Sequence, residues 1–234
     1  MKNVLISGAN RGIGLATANI FKSSGFNVIA TARKSSDIEY LNQNGFISYK
    51  LDVTESSSID ELYSQLKDRY LLPDILINNA GIAHISLLST MDEAQLEKTL
   101  DVNLKGSMLL TKKFIRNMSK QKFGRIINVS SILSSYPQKG FAAYAASKAG
   151  LEAFSRVTAL EYADKGITVN CIAAGFVNTD MIKDLTNSDV LKSQIPIKSI
   201  AEAHDIADSI FYLASQKNIT GEVLQSNGGL MMKP

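Results

Sequence analysis

The sequence predicts a doubly wound α/β fold: seven parallel strands in one sheet, helices on both faces, in a single domain. Three observations predict it. Short apolar or β-branched runs alternate with longer segments of helical period along the whole chain. Most of the strand candidates are apolar over most of their length, as a sheet covered on both faces requires. The 234 residues, 45% hydrophobic and 20% charged, suit one large domain, and no Pro/Gly/Ser linker divides them. Strands alternating with helices imply right-handed crossovers and therefore a parallel sheet.

Taken in order, strands are expected near Asn3–Ser7, Asn27–Thr31, Ile47–Leu51, Ile75–Asn78, Arg125–Ser130, Thr168–Ala173 and Glu222–Gln225. Runs such as Val4-Leu5-Ile6, Val28-Ile29 and Ile126-Ile127 carry these assignments. Helices are expected near Gly12–Ser23, Ile59–Arg69, a long one around Met91–Met118, Ala142–Ala163 and Glu202–Ser215. No helix is assigned between the second and third strands. Residues Thr179–Lys198 mix polar side chains with Met181, Ile182, Leu185, Leu191 and Ile195. That segment reads equally as a substrate lid or as a packed surface helix.

Composition excludes several functions. The net charge of +3, from 25 basic and 22 acidic residues spread along the chain, gives no charge-driven case for nucleic-acid binding. One cysteine, Cys171, excludes an intrachain disulfide framework, and two histidines, His84 and His204, argue against a metal centre. No stretch approaches the ~20 apolar residues of a membrane span. The N-terminal apolar run is too short for a signal peptide and ends in a glycine loop. A cytoplasmic protein is the expectation.

That loop reads Ser7-Gly8-Ala9-Asn10-Arg11-Gly12-Ile13-Gly14 and lies between the first strand and the first helix. Gly8 permits a tight turn, while Gly12 and Gly14 let the backbone approach a pyrophosphate and the helix approach the strand. The helix N-terminus then offers free N–H groups to phosphate. The second strand ends in Ala32-Arg33, with no acid until Asp37. NAD sites place a carboxylate there to bind the ribose 2′-hydroxyl. Arg33 and Arg11 are suited to a 2′-phosphate instead, which favours NADP(H).

Ser130-Ser131 follows the fifth strand, and Tyr144-Ala-Ala-Ser-Lys148 opens the next helix. Residues 144 and 148 share one helical face. A nearby ammonium stabilises phenolate, so the Tyr144 pKa is expected to fall toward working pH. Tyr144 would then protonate an alkoxide or deprotonate an alcohol, with a serine hydroxyl on the same oxygen.

With these residues in place, the chain resembles the short-chain dehydrogenase/reductase family over essentially its whole length. The matching residues are the glycine loop, Leu51-Asp52-Val53, Asn78-Asn-Ala-Gly81, Asn103, Ser131, Tyr144 and Lys148, with the family's spacing from Ser131 to Tyr144. The resemblance implies a Rossmann-like fold and these roles. Tyr144 is the general acid/base and Ser131 polarises the substrate carbonyl. Lys148 lowers the tyrosine pKa and holds the nicotinamide ribose. Asn103 anchors a water that joins Lys148 to solvent. Asp52 and Val53 contact the adenine. Asn78 through Gly81, including Asn79 and Ala80, walls the cofactor cleft and braces the sheet. Gly8, Asn10, Arg11, Gly12, Ile13, Gly14, Arg33, Gly175 and Val177 complete the expected cofactor set, with no metal.

Within the family the chain is most similar to bacterial 3-oxoacyl-acyl-carrier-protein reductases, on Asn178-Thr-Asp-Met181, Ile219-Thr-Gly-Glu222 and Asn227-Gly-Gly229. That similarity implies a 3-oxoacyl thioester substrate, with Lys122 and Lys165 matching two basic residues that dock the acidic carrier. It also implies a dimer or tetramer paired through the alanine-rich helix at Ala142–Ala149. One departure is plain: the family's Pro-Gly after the sixth strand is Ala174-Gly175 here. Reduction of another small ketone, oxidation of an alcohol, or a non-catalytic NADP(H) sensor are the alternative functions. Cys171 is expected in the core, His84 on a surface loop or at the substrate mouth, and His204 on an exposed helix turn.

Overall fold

In the computed structural model, residues 1–179 and 188–232 are described. The strands are β1 (Asn3–Ile6), β2 (Asn27–Ala32), β3 (Ile47–Lys50), β4 (Ile75–Asn78), β5 (Gly124–Ser131), β6 (Ile167–Ala174) and β7 (Val223–Ser226). All pairings are parallel, in the order β3-β2-β1-β4-β5-β6-β7. The expected seven-stranded, doubly wound sheet is therefore present, with strand ends within a residue of those expected. The order reverses between β1 and β4, and such a switch point opens a crevice at the carboxyl ends of the strands.

The helices are α1 (Gly12–Ser23), α2 (Ser35–Gln43), α3 (Ser56–Asp68), α4 (Glu93–Leu100), α5 (Gly106–Gln121), α6 (Ala142–Tyr162), α7 (Ser188–Gln194) and α8 (Ala203–Ser215). They cover two faces. One core packs α1 and α8 on the sheet through Phe21, Ile6, Ile206 and Ile210; the other packs α3 and α5 through Leu62, Leu66, Leu110 and Phe114. β5 and β6 are buried throughout, the expected result of two-sided cover.

Two expectations need correction. The helix α2 was not expected: its sequence is polar, and Leu41 is its single buried residue, so nine residues display no apolar stripe. The long helix around Met91–Met118 is also not continuous. A π-helical turn, Asp101–Lys105, separates α4 from α5, and the Gly106 N–H bonds Asp101 O, five residues back. Neither glycine nor proline marks that turn in Asp101–Lys105.

Of the segment Thr179–Lys198, residues 180–187 lie outside the described residues, so its reading as a lid is not addressed there. Its later part forms α7, and Leu191 and Ile195 are buried in a cluster with Phe141, Tyr144 and Phe176. Cys171 is fully buried, as expected, with its thiol donating to Ser155 Oγ at 3.1 Å; burial pushes its pKa up to about 12. His204 is exposed and lies 3.5 Å from Asp205. His84 is half-buried. No helix among the described residues is long and apolar enough to cross a membrane.

Candidate active site

A cleft of about 590 Å³ opens at the carboxyl edge of the sheet, bounded at one end by the glycine loop and at the other by Ser131 and Tyr144. The loop is tightly built. Gly8 and Gly12 take positive φ values, +66° and +53°, which glycine adopts without strain. A Cβ on Gly14 would stand 2.2 Å from the Gly8 carbonyl oxygen and 2.5 Å from Asn79 Nδ2. Asn79 locks the turn by donating from that same Nδ2 to the carbonyls of Ser7 and Gly8, at 3.0 and 2.8 Å. Ser7 Oγ accepts from the N–H groups of Asn79 and Ala80, both at 3.0 Å. The loop and the end of β4 are thus one hydrogen-bonded unit. The first N–H groups of α1 have no intrahelical acceptor and face that turn, which suits a pyrophosphate.

Around this cradle the cleft gathers Gly8, Asn10, Arg11, Gly12, Ile13, Arg33, Asp52, Val53, Asn79, Ala80, Gly81, Gly175 and Val177. Gly14 does not line the cleft; its part is the close approach of α1 to the loop. Lys34, Arg33 and Asp37 share the rim below β2. Lys34 was not singled out from the sequence, although it directly follows Arg33. Asp52 is fixed by its surroundings: its N–H donates to Ser58 Oγ at 3.0 Å, and its carboxylate accepts from Thr54. The donors, the glycine cradle and the three cations at one end fit a dinucleotide.

At the other end, Ser131 and Tyr144 are mostly buried, and the Ser131 hydroxyl bears on the phenol, favouring its ionised form. β5 ends at Ser131, and its backbone turns there into a 3₁₀ turn, Ile132–Ser134, that Ser131 Oγ caps by accepting from Leu133 N–H at 3.2 Å. The helix α6 carries Tyr144 and Lys148 on one face, as expected. The ammonium goes elsewhere, however: Lys148 Nζ donates to the Val129 carbonyl at 2.7 Å and stands 5.6 Å from the centre of the Tyr144 ring.

The expected fall of the Tyr144 pKa is overturned. Burial pushes the phenol above its ordinary value of 10, and the Ser131 hydroxyl offsets only part of that. Burial also lowers Lys148 to about 8, against the opposing influence of Cys171 and Glu152. Desolvation of each charged form outweighs their neighbourhood.

Asn103 sits in the π-helical turn, fully buried and outside the cleft lining. Its Oδ1 accepts from Ile82 N–H and its Nδ2 donates to Ile82 O, both at 2.9 Å; Nδ2 also donates to Ser147 Oγ at 3.1 Å. It ties the segment after Gly81 to α6, one residue before Lys148. Asn78 braces the sheet by donating to Asn128 Oδ1 at 2.7 Å and Thr111 Oγ1 at 3.0 Å. Ser130 Oγ donates to Glu152 at 2.7 Å, a pairing not read from the sequence although Glu152 falls one turn after Lys148. At the departure Ala174-Gly175, a Gly175 Cβ would lie 2.7 Å from Asn227 Cα, and the Gly175 N–H donates to Ser226 O at 2.9 Å. Close packing on the segment after β7 holds this turn.

Lys122 and Lys165 are not part of the cleft. They flank the starts of β5 and β6, at the edge of the sheet opposite Tyr144, and the Lys122 loop packs on Gly166. Lys165 is ion-paired with Asp164 at 2.6 Å.

Comparison with known proteins agrees with this geometry. A family model for short chain dehydrogenases matches residues 2–189. Curated relatives named 3-oxoacyl-[acyl-carrier-protein] reductase FabG are 40% identical in Haemophilus influenzae, 38% in Escherichia coli and 37% in Buchnera aphidicola, each over 99% of this chain and 98% of the relative. Among solved structures, one named ribose-5-phosphate isomerase from Brucella melitensis superposes with a TM-score of 0.94 at 28% identity, covering 99% of this chain and 93% of that one. A putative gluconate dehydrogenase from Agrobacterium tumefaciens shares the fold, with a TM-score of 0.93 at 24% identity over 100% of this chain and 97% of its own. The chain therefore belongs to the short-chain dehydrogenase/reductase family, oxidoreductases of carbonyl and hydroxyl groups that work with a nicotinamide cofactor.

Proposed function

We propose that the protein is an NADPH-dependent carbonyl reductase whose substrate is a 3-oxoacyl thioester presented on an acyl carrier protein. The observation that carries the reading is the convergence of Ser131, Tyr144 and buried Lys148 at one end of a cleft whose other end is a glycine cradle. The relatives' names supply the substrate class. The apolar walls beside Tyr144, formed by Ile132, Leu133, Phe141 and Phe176, suit an acyl chain.

A nicotinamide dinucleotide bound in the cleft supplies the hydride. The residues then do the rest. Ser131 donates a hydrogen bond to the carbonyl oxygen and polarises it. Tyr144 gives its proton to the same oxygen as negative charge develops. The raised Tyr144 pKa suits this direction, because the phenol is fully protonated at neutral pH. Lys148 steadies the phenolate left behind, and Asn103 keeps the proton route beside Ile82 in place. Gly8 and Gly12 seat the pyrophosphate while Gly14 lets α1 approach the loop, Asp52 and Val53 flank the adenine, and Arg33 with Arg11 receives a 2′-phosphate, where Lys34 adds charge. Lys122 and Lys165 offer an acidic carrier two cations. Exposed Val157 and Leu160 on α6 support pairing with a second copy, and the reading implies a cytoplasmic protein.

The experiment is NADPH oxidation with a 3-oxoacyl thioester, in wild type and Tyr144→Phe. Turnover is expected to fall by about 10²–10⁴-fold while nucleotide binding survives. Equal rates would remove Tyr144 as the proton donor.

A further inference from the structure

Lys148 is a buried cation whose hydrogen-bond partner is neutral. Its side chain is 4% exposed, and Nζ donates to the Val129 carbonyl. An ammonium in such a setting sheds its proton unless a negative charge stands near. Few groups around it can carry one. A Cβ on Gly81 would stand 3.6 Å from Nζ and 3.4 Å from Asn103 Oδ1, so the segment after β4 and the π-helical turn present backbone and a neutral amide. Asp101 and Lys105 of that turn are paired with each other at 3.0 Å. From β6 comes Cys171, a neutral thiol below about pH 12. From α6 itself come Tyr144, a neutral phenol with a raised pKa, and Glu152, with exposed Arg156 four residues further on. Among the described residues, Glu152 is the carboxylate that bears on Lys148.

Glu152 lies four residues after Lys148 and so shares its face of α6. It is half-buried, and its Oε1 accepts from Ser130 Oγ at 2.7 Å. Lys148 and Glu152 thus reach consecutive residues of β5, one the Val129 carbonyl and the other the Ser130 hydroxyl. That hydroxyl holds the carboxylate against the sheet on the Lys148 side, where water screens its charge less than it would at the surface. Ser130 also precedes Ser131, so the same bond steadies the end of β5 where the Ser131 turn begins.

We propose that Glu152 is a positioning residue for the reaction: held by Ser130, its carboxylate is the counter-charge that keeps Lys148 protonated beside Tyr144. This role rests on the function proposed above, in which a charged Lys148 steadies the Tyr144 phenolate.

The test compares wild type with Glu152→Gln, which keeps an oxygen for Ser130 and removes the charge; thermal unfolding checks the fold. One readout is the titration of Lys148 itself, followed by NMR of its Cε in lysine-labelled protein and assigned through Lys148→Met. The other is kcat/KM for NADPH oxidation with 3-oxobutanoyl-N-acetylcysteamine between pH 6 and 9. In the variant, the titration and the alkaline fall in rate are both expected about one pH unit lower, so the loss grows from slight at pH 6 to about tenfold at pH 9. A merely structural role would lower the rate equally at every pH and leave the titration in place, and that result overturns the proposal. A lowered titration with an unmoved rate profile overturns it too, because the charge on Lys148 would then not serve the reaction. If Glu152→Gln does not fold, Ser130→Ala, which releases the carboxylate, is judged by the same outcomes. Should wild type reduce no 3-oxoacyl thioester, the substrate reading fails by itself. The titration then decides alone: a fall in the variant upholds Glu152 as the counter-charge, and no change overturns it.

Discussion

The Lys148 ammonium is hydrogen-bonded to the Val129 carbonyl at 2.7 Å, so α6 is pinned to β5 by a buried cation. That bond does not repay the cost of burial, and the pKa falls to about 8. As pH rises through about 8, Lys148 loses its charge, and kcat/KM for carbonyl reduction is expected to fall with it. A pH–rate profile that is flat between pH 7 and 9 would contradict this. Stability moves the other way. An unfolded lysine keeps its proton to about 10.4, so between about pH 8 and that value the unfolded chain binds more protons, and this group's contribution to stability rises across the window. Lys148→Met is therefore expected to gain stability relative to wild type at pH 7, and to gain less at pH 9. Thermal unfolding at the two pH values checks the sign.

The glycine loop tolerates no side chain at Gly14, because a Cβ there meets the Gly8 carbonyl at 2.2 Å. Backbone must shift, and the two Asn79 bonds that lock the loop shift with it. Gly14→Ala is expected to lose about 1–3 kcal/mol of stability, the usual cost of overpacking, and most of its nucleotide affinity. Urea unfolding and a fluorescence titration with NADPH measure the two. Unchanged affinity would show that the cradle is not where the pyrophosphate sits.

Much of this was legible in the sequence, and what was not has physical causes. Buried strands such as β4 and β5 announce themselves through the apolar runs Ile75-Leu76-Ile77 and Ile126-Ile127, although Asn78, Arg125 and Asn128 are buried with them. The helix α2 hides because its residues are polar and it buries only Leu41. The π-helical turn hides because Asp101–Lys105 contains no breaker, and one extra residue per turn does not alter a hydrophobic period visibly. Spacing placed Tyr144 and Lys148 on one face correctly. It did not indicate where the long lysine side chain would go, and the pKa expectation failed on that point. The cradle glycines and Asn79 were readable as motif residues, yet the bonds from Asn79 to Ser7 and Gly8 join segments about 70 residues apart.

Asn103 satisfies both backbone groups of Ile82 from inside the π-helical turn. Asn103→Leu would leave that part-buried N–H and C=O without their side-chain partner. The expected cost is about 2–4 kcal/mol, since each unsatisfied buried group costs about 1–3 kcal/mol. The distinctive readout is amide hydrogen exchange at Ile82, which loses its protection in the variant. Protection retained at Ile82 would mean that another group takes over, and the anchoring role would be abandoned.

The rim below β2 carries Arg33 and Lys34 against Asp37, with Arg11 across the loop. A 2′-phosphate placed there adds close to two negative charges, whereas a 2′-hydroxyl adds none, so the proposed preference for NADPH predicts that the local excess of cations separates the two cofactors. Arg33→Asp reverses the sign at one of these positions and supplies the carboxylate that a ribose 2′-hydroxyl prefers. The ratio of kcat/KM for NADPH over NADH is expected to fall at least about tenfold, which corresponds to about 1.4 kcal/mol. Raised salt should weaken wild-type NADPH binding more than NADH binding, since the extra phosphate contacts lie at an exposed rim that ions screen. If the Arg33→Asp ratio matches wild type while both cofactors still bind, the charge at this rim does not select the cofactor, and Lys34→Asp becomes the residue to test by the same ratio.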